Sequence, residues 1–414
     1  MSVGVTVFQL SLGALTLWLL SSSAVAATVN ASNCSSATVQ SAINSASPGD
    51  TVQVPVGTCS WSTAVSIPNN KRITLRGSGR DSTIITRSPA GSVLNLGQSG
   101  SRVTGFAFSS GTINVDGDDW RIDSNRFTAP STFFDAILVF GDRESIHPRG
   151  VIDHNEFLSG ARVNVVGWSN LAAHAIWSQP LALGSASGQK VFVEDNTFSY
   201  TQWSGVFDTN YGGRFVFRNN TVTNGYVEVH SLQQGRASRS WEIYDNTFAQ
   251  GSGASLWVPL FIRGGTGVIY NNKVNGTWGD PSITLDNVRS AFPGYDYGMC
   301  AGSSPADGNQ LPNGWPCRDQ IGRGSDTSLW TTSNPYPSQT SEPAYFWGNT
   351  APGGGTLGAS VHNNTGAWIV SGRDFFNNTQ RPGYAPYPYP HPLTQEGGSG
   401  GPTPPPAPIN LTVQ

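Results

Sequence analysis

The chain contains few charged residues and very little lysine. Asp, Glu, Lys and Arg make up 12% of its 414 residues, against about 25% in an average soluble protein. The only lysines are Lys71, Lys190 and Lys273, and the formal net charge is −3. The sequence therefore lacks the basic excess through which phosphate contacts dominate nucleic-acid binding, and we expect no nucleic-acid partner. The 37% hydrophobic content is still enough for an ordered core.

Long apolar runs are also absent, except for one at the N-terminus. Residues 8–20 are apolar but too short to span a bilayer comfortably, and small residues ending at Ala26 follow them. This pattern is typical of a secretory signal peptide cleaved near Ala26, although no Lys or Arg precedes the run. We expect residues 1–26 to be removed and the mature chain to be exported, without a transmembrane segment.

Cysteine is scarce, with four residues in all. An even number in an exported chain predicts two disulfides, and the spacing suggests Cys34 with Cys59 and Cys300 with Cys317. Neither pair has the CxxC spacing or the nearby histidine of a zinc site.

The C-terminal end has the composition of a linker. Residues 394–408 are rich in Gly and Ser and then in Pro, which predicts a flexible stretch followed by a stiff one. Residues 409–414 begin like a strand and resemble the opening of a fibronectin-type module. We expect residues 27–393 to form the main domain, secreted or attached to a cell surface through a further C-terminal module.

One short phrase recurs between residues 120 and 275. Each copy has an alternating strand, a polar turn ending in Asn, and then an aromatic or β-branched residue. The separations between successive asparagines are 30, 41, 24, 26 and 26 residues. Repeats of this length are typical of solenoids. The aligned asparagines are Asn125, Asn155, Asn196, Asn220, Asn246 and Asn272.

The repeat predicts an all-β fold in which each strand stacks on its counterpart in the next coil. A unit of this length cannot bury its apolar side alone, so neighbouring coils must close each other's core. The asparagines would then hydrogen-bond along the stack, in turns where left-handed backbone is tolerated. We therefore expect a single-stranded right-handed parallel β-helix.

The start of this solenoid and one interruption of its repeat have recognisable features. Val39, Ala42, Ile43 and Ala46 fall on one face of a predicted helix that would cap the first coil. Residues 286–345 interrupt the repeat and predict a long loop pinned by the second disulfide, a type of loop that is often functional.

The segment 39–58, with its Pro-Gly-Asp turn before Thr51-Val-Gln-Val, resembles the N-terminal entry of the pectate-lyase-like β-helix superfamily. The resemblance covers roughly residues 34–392 and implies chemistry on a polysaccharide. The Asp-Asp and Gly-His-Gly motifs of polygalacturonases are missing, as is the lysine and Arg-His-Gly arrangement of alginate lyases and chondroitinase B.

One strand concentrates chemically active side chains. In Tyr226-Val-Glu-Val-His, strand alternation places Tyr226, Glu228 and His230 on one side. Asp208 lies one coil earlier and Arg263 one coil later. We expect these residues to form a site, with an exposed ion pair between Glu228 and a nearby arginine as the structural alternative.

Further residues are candidates for binding a polymer. Arg236 and Arg239 follow the same strand, and Arg318 and Arg323 could either reach over the groove or anchor the loop. Aromatic side chains stack on sugar rings, although many tryptophans of this kind belong to the core. The candidate aromatic residues are Trp168, Trp177, Trp203, Tyr226, Trp257 and Trp278.

Two reactions fit such a groove under the resemblance. In β-elimination on a uronic-acid polymer, Asp208 and Glu228 would hold Ca²⁺, His230 or Arg263 would be the base, and Arg236 or Arg239 would bind carboxylates. In hydrolysis, Asp208 and Glu228 would form an acid/base pair. A lysine base could only be Lys190 or Lys273, and Asp153-His154 resembles the Asp-His pair of pectate lyases but lies within the repeated phrase.

The third hypothesis is a non-catalytic protein. A β-helix also suits a surface adhesin or a glycan-binding stalk. A polysaccharide is the partner in each hypothesis, and we expect a monomer. Elimination is the leading hypothesis because the ionisable residues are concentrated at one place in a chain of low charge.

Overall fold

The computed structural model describes residues 1, 26–97, 100–140, 148–166, 176–179, 181–231, 236–287, 317–326, 339–362 and 368–395. Strands account for 48% of these described residues. The predicted signal peptide, the linker beyond residue 395, Trp168, Cys300 and most of the predicted 286–345 loop lie outside the described residues. No helix in the described part is long and apolar enough to cross a membrane.

One α-helix, α1 (Ser36–Ser45), precedes most of the strands, and short 3₁₀ helices occur at Gly184–Gln189, Pro352–Gly354 and Pro392–Thr394. The strands of the first half of the chain are β1 Thr28–Asn30, β2 Thr51–Gln53, β3 Gly57–Trp61, β4 Val65–Ile67, β5 Thr74–Arg76, β6 Thr83–Leu96, β7 Arg102–Thr104, β8 Ala107–Asp116, β9 Asp118–Asp123, β10 Arg126–Thr128, β11 Phe134–Phe140, β12 Arg149–Asp153, β13 Glu156–Leu158, β14 Ala161–Val166 and β15 Val191–Glu194.

The second half of the chain also contains both short and long strands. They are β16 Thr197–Asn210, β17 Arg214–Arg218, β18 Thr221–Val229, β19 Ser240–Tyr244, β20 Thr247–Ala249, β21 Leu260–Ile262, β22 Thr266–Tyr270, β23 Lys273–Asn275, β24 Ile283–Leu285, β25 Arg323–Asp326, β26 Gln339–Ser341, β27 Ala344–Trp347, β28 Ala359–Val361 and β29 Phe375–Asn377.

The strands form two large parallel sheets and one small antiparallel pair. The first sheet has the order β1-β2-β5-β7-β9-β12-β15-β17-β19-β22-β27-β29, so its neighbours are successive copies of the repeat. The second sheet contains the intervening strands, and β25 pairs antiparallel with β26. The all-β, parallel part of the sequence prediction is confirmed.

Pairing in the second sheet closes a ring. β8 pairs with β10 near its start and with β11 near its end, and β16 pairs with β13 and β14 in the same way. Since β10 also pairs with β13 and β11 with β14, the ring runs β8-β10-β13-β16-β14-β11. The ring forms because β8 and β16 are long strands, and the two ends of each pair with different neighbouring strands.

The asparagines of the repeat form the expected ladder. The side-chain amide of Asn125 donates to Oδ1 of Asn155 at 3.2 Å, and the same contact recurs at each step through Asn272 to Asn349. The left-handed residue is not this asparagine, however, but the one before it, such as Asp195 (φ 57°) or Asn219 (φ 54°). The ladder asparagine keeps an ordinary backbone because its side chain must point inward to its neighbours.

The predicted N-terminal helix is present. In α1, Ser35 caps the first turn and the inward face buries Val39, Ala42 and Ile43. The disulfide between Cys34 and Cys59 joins the entry of the helix to β3. The pairing of Cys300 with Cys317 stays a prediction, because Cys300 lies outside the described residues.

The outer side of the first sheet is covered by residues 381–395, which we call the C-terminal strap. Arg218 of β17 donates to the carbonyls of Tyr387 and Pro388, both at 2.8 Å. Arg121 of β9 donates to the carbonyl of Thr394 at 3.1 Å. This cover explains why β17 and β19 are buried on both sides.

The strap makes stability depend on pH through His391. Burial and the nearby Arg218 lower the pKa of His391 to about 4, from a usual value of 6.5. Between these values the unfolded chain binds a proton that the folded chain does not, so the free energy of unfolding falls as the pH drops from 6.5 to 4. We expect a loss on the order of 2–3 kcal/mol.

The matched variant is His391→Phe, which keeps the ring against Phe192 (4.5 Å between centroids) but cannot titrate. Urea unfolding at several pH values should show that the free energy of unfolding of the wild type falls relative to that of this variant between pH 6.5 and 4. An equal pH dependence in both proteins would contradict the assignment to His391.

Candidate functional site

The outward side of β11, β14, β16, β18, β21 and β24 carries a concentration of charged and polar groups, which we call the polar face. Phe207 pairs with Val227, which brings Asp208 beside Glu228 on the next strand. His230 and Arg263 extend the same ladder, because their backbone amides bond to the carbonyls of Thr209 and Val229. The predicted grouping of these four side chains is therefore seen in the structure.

His230 lies at the centre of the polar face between two carboxylates. Its Nδ1 lies 2.6 Å from Oδ1 of Asp208, and its Nε2 lies 3.6 Å from Oε1 of Glu228. The side chains of Asp208 and Glu228 are 9% and 13% exposed, against 20% for His230. A carboxylate on Nδ1 fixes the ring orientation and leaves Nε2, which lies 3.6 Å from Glu228, as the reactive nitrogen.

A guanidinium group flanks this centre on one side. Arg162 of β14 bonds Asp208 through Nη1 at 2.9 Å and Asp135 through Nε at 2.6 Å. Asn164, also on β14, donates to Asp135 at 3.1 Å. Arg162 therefore bridges two carboxylates and supports Asp208 from the side opposite His230.

A second guanidinium flanks the other side. Arg263 donates through Nη2 to Oε1 of Glu228 and stacks over the ring of Phe261, 5.0 Å from its centroid. Its Nε is buried and has no hydrogen-bond partner in the described part of the chain. A buried, unpaired donor is costly, and the burial of this N–H closes it to an incoming ligand unless the side chains around it move.

The charges set the protonation of the central groups. Burial alone would raise the pKa of Asp208, but His230 and Arg162 outweigh it and lower the pKa below the usual 3.8. Asp208 is thus ionised at neutral pH. Burial and Glu228 raise the pKa of Tyr226, whose hydroxyl donates to Oε2 of Glu228 at 3.2 Å and so keeps its proton.

An aromatic group adjoins the charged centre. Trp203 stacks on Tyr226 with 4.4 Å between ring centroids, and Trp257 meets Trp203 edge-on at 6.0 Å. Trp203 and Trp257 are only partly buried. Partly exposed rings beside polar groups suit contact with the apolar side of a sugar ring.

The polar face continues past Arg263. Asp286, at the end of β24, has a pKa raised by burial, and Nδ1 of His362 lies 3.9 Å from its carboxylate. His362 also meets Trp257 edge-on at 5.7 Å. Asp286 is the acid on this face whose pKa shift favours the protonated form.

The four arginines predicted to contact a polymer are not on this face. Arg236 and Arg239 are buried, and Arg236 pairs with Asp319 at 2.7 Å while Arg239 pairs with Glu342 at 2.7 Å. Glu228 therefore pairs with Arg263, and neither Arg236 nor Arg239 is its partner. Their burial does not fit direct contact with a polysaccharide.

Arg318 and Arg323 are also fully buried, and their charges act on Asp319. Of the two roles considered for them, anchoring the loop fits this burial and reaching over a groove does not.

Other sequence candidates are enclosed as well. Trp177 is buried between Arg236 and Arg239, with its ring centroid 4.8 and 5.1 Å from the two guanidinium carbons, and Trp278 is 8% exposed. Lys190 is buried against Glu242 at 2.8 Å, and burial lowers its pKa to about 8. None of these side chains is open to a polymer.

The second Asp–His pair is differently placed. Asp153 is buried in a bidentate contact with Arg121 at 2.7 and 2.9 Å, and its partner His154 is 59% exposed. This pair lies in the ladder of the first sheet, at β12, away from the polar face.

The calcium ion at Asp208 and Glu228 stays a prediction, and the side-chain donors grouped there do not favour it. Calcium takes six to eight oxygen ligands, whereas the one further donor grouped with these two carboxylates in the described residues is a histidine nitrogen. Each carboxylate is also already neutralised by an arginine.

This donor set predicts that chelation leaves activity intact. If the protein cleaves a polymer at the polar face, we expect EDTA to change the initial rate by less than about twofold, because arginines supply the positive charge. The rate should be measured with EDTA, and again after adding CaCl₂ in excess. A loss that calcium restores would contradict the arginine assignment.

The sequence did not single out Arg162, Asp135, Asp286 or His362. Arg162 and Asn164 alternate with apolar residues, so their outward direction was readable. The 41-residue spacing between the second and third asparagines hid the register that places β14 beside Asp208. Asp286 and His362 lie at the ends of strands that the interrupted repeat did not reveal.

Comparison of the chain with protein-family models, with curated proteins and with solved structures finds no match. The functional argument therefore rests on the geometry of the polar face.

Proposed function

We propose that the protein is a secreted polysaccharide lyase that cleaves a uronic-acid polymer by β-elimination at the polar face. The observation that carries this proposal is His230, whose Nδ1 is held by an ionised carboxylate while Nε2 lies 3.6 Å from Glu228, beyond hydrogen-bond distance. A histidine oriented in this way is suited to act as a general base.

In this proposal each group has a defined role. Nε2 of His230 takes the C5 proton of the uronate, and the C4–O bond breaks as the C4–C5 double bond forms. The guanidinium charge of Arg263, beside His230 on the polar face, neutralises the uronate carboxylate and makes the C5 proton removable. The imidazolium that forms on His230 then gives its proton to the leaving oxygen, because the raised pKa of Tyr226 opposes proton donation by that phenol.

We infer that the two sheets belong to one right-handed parallel solenoid of the pectate-lyase-like type. Strands of the two sheets alternate along the chain, and each pairs with its counterpart one repeat later. The N-terminal helix and the asparagine ladder support the same architecture. A solenoid would display the polar face as a groove along its axis.

Glycoside hydrolysis is the second candidate, favoured by the raised pKa of Asp286. Asp286 lies two strands from Glu228 and two residues further along the ladder, which separates their backbones by about 12 Å. The carboxyl groups of inverting glycosidases are roughly 6.5–9.5 Å apart, so these two side chains would have to point towards each other. The predicted pair Asp208 and Glu228 is closer, because oxygens of the two lie within 4.8 Å.

The test incubates the secreted protein with alginate, pectate and glycosaminoglycans, and measures the ultraviolet absorbance of unsaturated products together with new reducing ends. Rising absorbance supports elimination. Reducing ends without absorbance would replace it with hydrolysis. Polymer binding without either signal would show that the protein is an adhesin or a glycan-binding stalk.

A further inference from the structure

His230 and Glu228 leave a gap between them on the polar face that no hydrogen bond closes. Nε2 of His230 lies 3.6 Å from Oε1 of Glu228, which is beyond hydrogen-bond distance. Nε2 makes no hydrogen bond in the described part of the chain, and it is not one of the buried polar atoms there that lack a partner, so it keeps access to solvent. The lone pair of this nitrogen is therefore open to an incoming ligand.

The gap has the width that a metal ion needs. Zinc binds imidazole nitrogen and carboxylate oxygen at about 2.0–2.2 Å, which places two ligands of a tetrahedral ion about 3.4 Å apart. The observed 3.6 Å between Nε2 and Oε1 is close to that span. A water molecule that bridged the same atoms at ordinary hydrogen-bond lengths of about 2.8 Å would need roughly 4.5 Å between them. The gap therefore suits a metal ion better than a bridging water.

The groups behind these two ligands are of the kind that orient metal ligands. A histidine that binds a metal through one nitrogen usually donates its other N–H to a carboxylate, and Nδ1 of His230 lies 2.6 Å from Asp208. The other oxygen of Asp208 pairs with Arg162 at 2.9 Å, so Asp208 orients the histidine rather than binding the ion. On the other ligand, the hydroxyl of Tyr226 donates to Oε2 of Glu228 at 3.2 Å.

One cation competes for the same carboxylate. Arg263 donates through Nη2 to Oε1 of Glu228, and its charge opposes a divalent ion in the gap. The oxygen has a second lone pair for the metal. Because the protein supplies two ligands instead of four, we expect a dissociation constant for zinc on the order of 10–100 µM.

We propose that Nε2 of His230 and Oε1 of Glu228 bind a zinc-type transition-metal ion, which inhibits the protein by occupying its base. Imidazole nitrogen suits zinc, copper and nickel, whereas calcium and magnesium prefer oxygen ligands. The site therefore differs in ion and in ligands from the calcium site predicted for Asp208 and Glu228. While a metal is bound, Nε2 cannot take the C5 proton. Zinc binding stands on the geometry alone, and the inhibition rests on the proposed function.

The first test measures binding without a polymer. ZnCl₂ and CaCl₂ are titrated separately into the metal-free protein by isothermal calorimetry, and we expect zinc to bind and calcium not to bind at the same concentrations. Asp208→Asn and Glu228→Gln should weaken zinc binding at least about tenfold, the usual effect of losing a ligand or its orienting partner, and His230→Ala should abolish it. His154→Ala, in the other Asp–His pair, should leave it unchanged.

A gain in affinity distinguishes this site from a general defect in folding. Arg263→Gln removes the competing charge and should tighten zinc binding, whereas a damaged fold would weaken it. No zinc binding at concentrations up to about 1 mM, or equal affinity in the wild type and His230→Ala, would overturn the inference.

The second test measures inhibition on whichever polymer the wild type cleaves. Zinc at ten times its dissociation constant should lower the initial rate about tenfold by occupying most of the sites, and EDTA should restore the rate. Zinc that binds at His230 without lowering the rate would overturn the inhibition. Zinc binding at His230 in a protein that cleaves no polymer would support the metal site and contradict only the proposed elimination.

Discussion

Replacing His230 with alanine is expected to lower kcat by about 10²–10⁴-fold, the usual contribution of a general base. The reason is positional, because a carboxylate at 2.6 Å orients Nδ1 of His230 while Nε2 stays beyond hydrogen-bond distance of Glu228. The measurement is the initial rate of unsaturated product on whichever polymer the wild type cleaves.

The chain offers a matched control in its other Asp–His pair. His154 also contacts a buried carboxylate, with Nδ1 at 2.8 Å from Asp153, but it lies on the first sheet. We expect His154→Ala to keep the wild-type kcat. Equal losses in the two variants would show that the polar face is not the catalytic centre.

A third variant separates the base from its orienting group. Asp208→Asn leaves the imidazole in place but removes the charge that holds Nδ1–H, so we expect a smaller loss of kcat than in His230→Ala, with KM nearly unchanged. A change in KM alone would assign Asp208 to substrate binding.

Replacing Asn220 with alanine is expected to lower the free energy of unfolding by about 3–5 kcal/mol. The amide of Asn220 donates to the carbonyls of Val193 and Arg218 and to Oδ1 of Asn246, at 2.9 to 3.1 Å. Its Oδ1 accepts from Asn196. Alanine leaves several buried groups without partners, and no water replaces them readily in a packed interior.

Asn275→Ala is the control for this prediction. Asn275 is exposed at the end of β23, so its side chain can exchange protein contacts for water. Urea unfolding of both variants should show a large loss for Asn220→Ala and less than about 0.5 kcal/mol for Asn275→Ala. A comparable small effect in both would mean that the ladder contributes little to stability.

Local patterns were read correctly from the sequence wherever one repeat resembles the next. The aligned asparagines, the capping face of Val39, Ala42 and Ile43, and the Cys34–Cys59 disulfide all depend on short spacings. Strand alternation likewise placed Tyr226, Glu228 and His230 on one side.

Which charged side chains are buried could not be predicted from these short sequence patterns. Arg236 and Arg239 look like surface arginines in the sequence, but partners 83 and 103 residues away enclose them. Lys190 is similarly buried against Glu242, 52 residues away. Nothing within a few residues of these side chains reveals such partners.

By itself, then, the sequence determined the repeat, the parallel all-β class and the side of the strand on which His230 lies, because each follows from spacing along one segment. The tertiary structure alone decided that Arg162 also flanks this site, beside Asp208, and that four other arginines are enclosed. The physical reason is that the pairing of a charge depends on register between coils and on loops of uneven length, and neither is encoded within a single repeat.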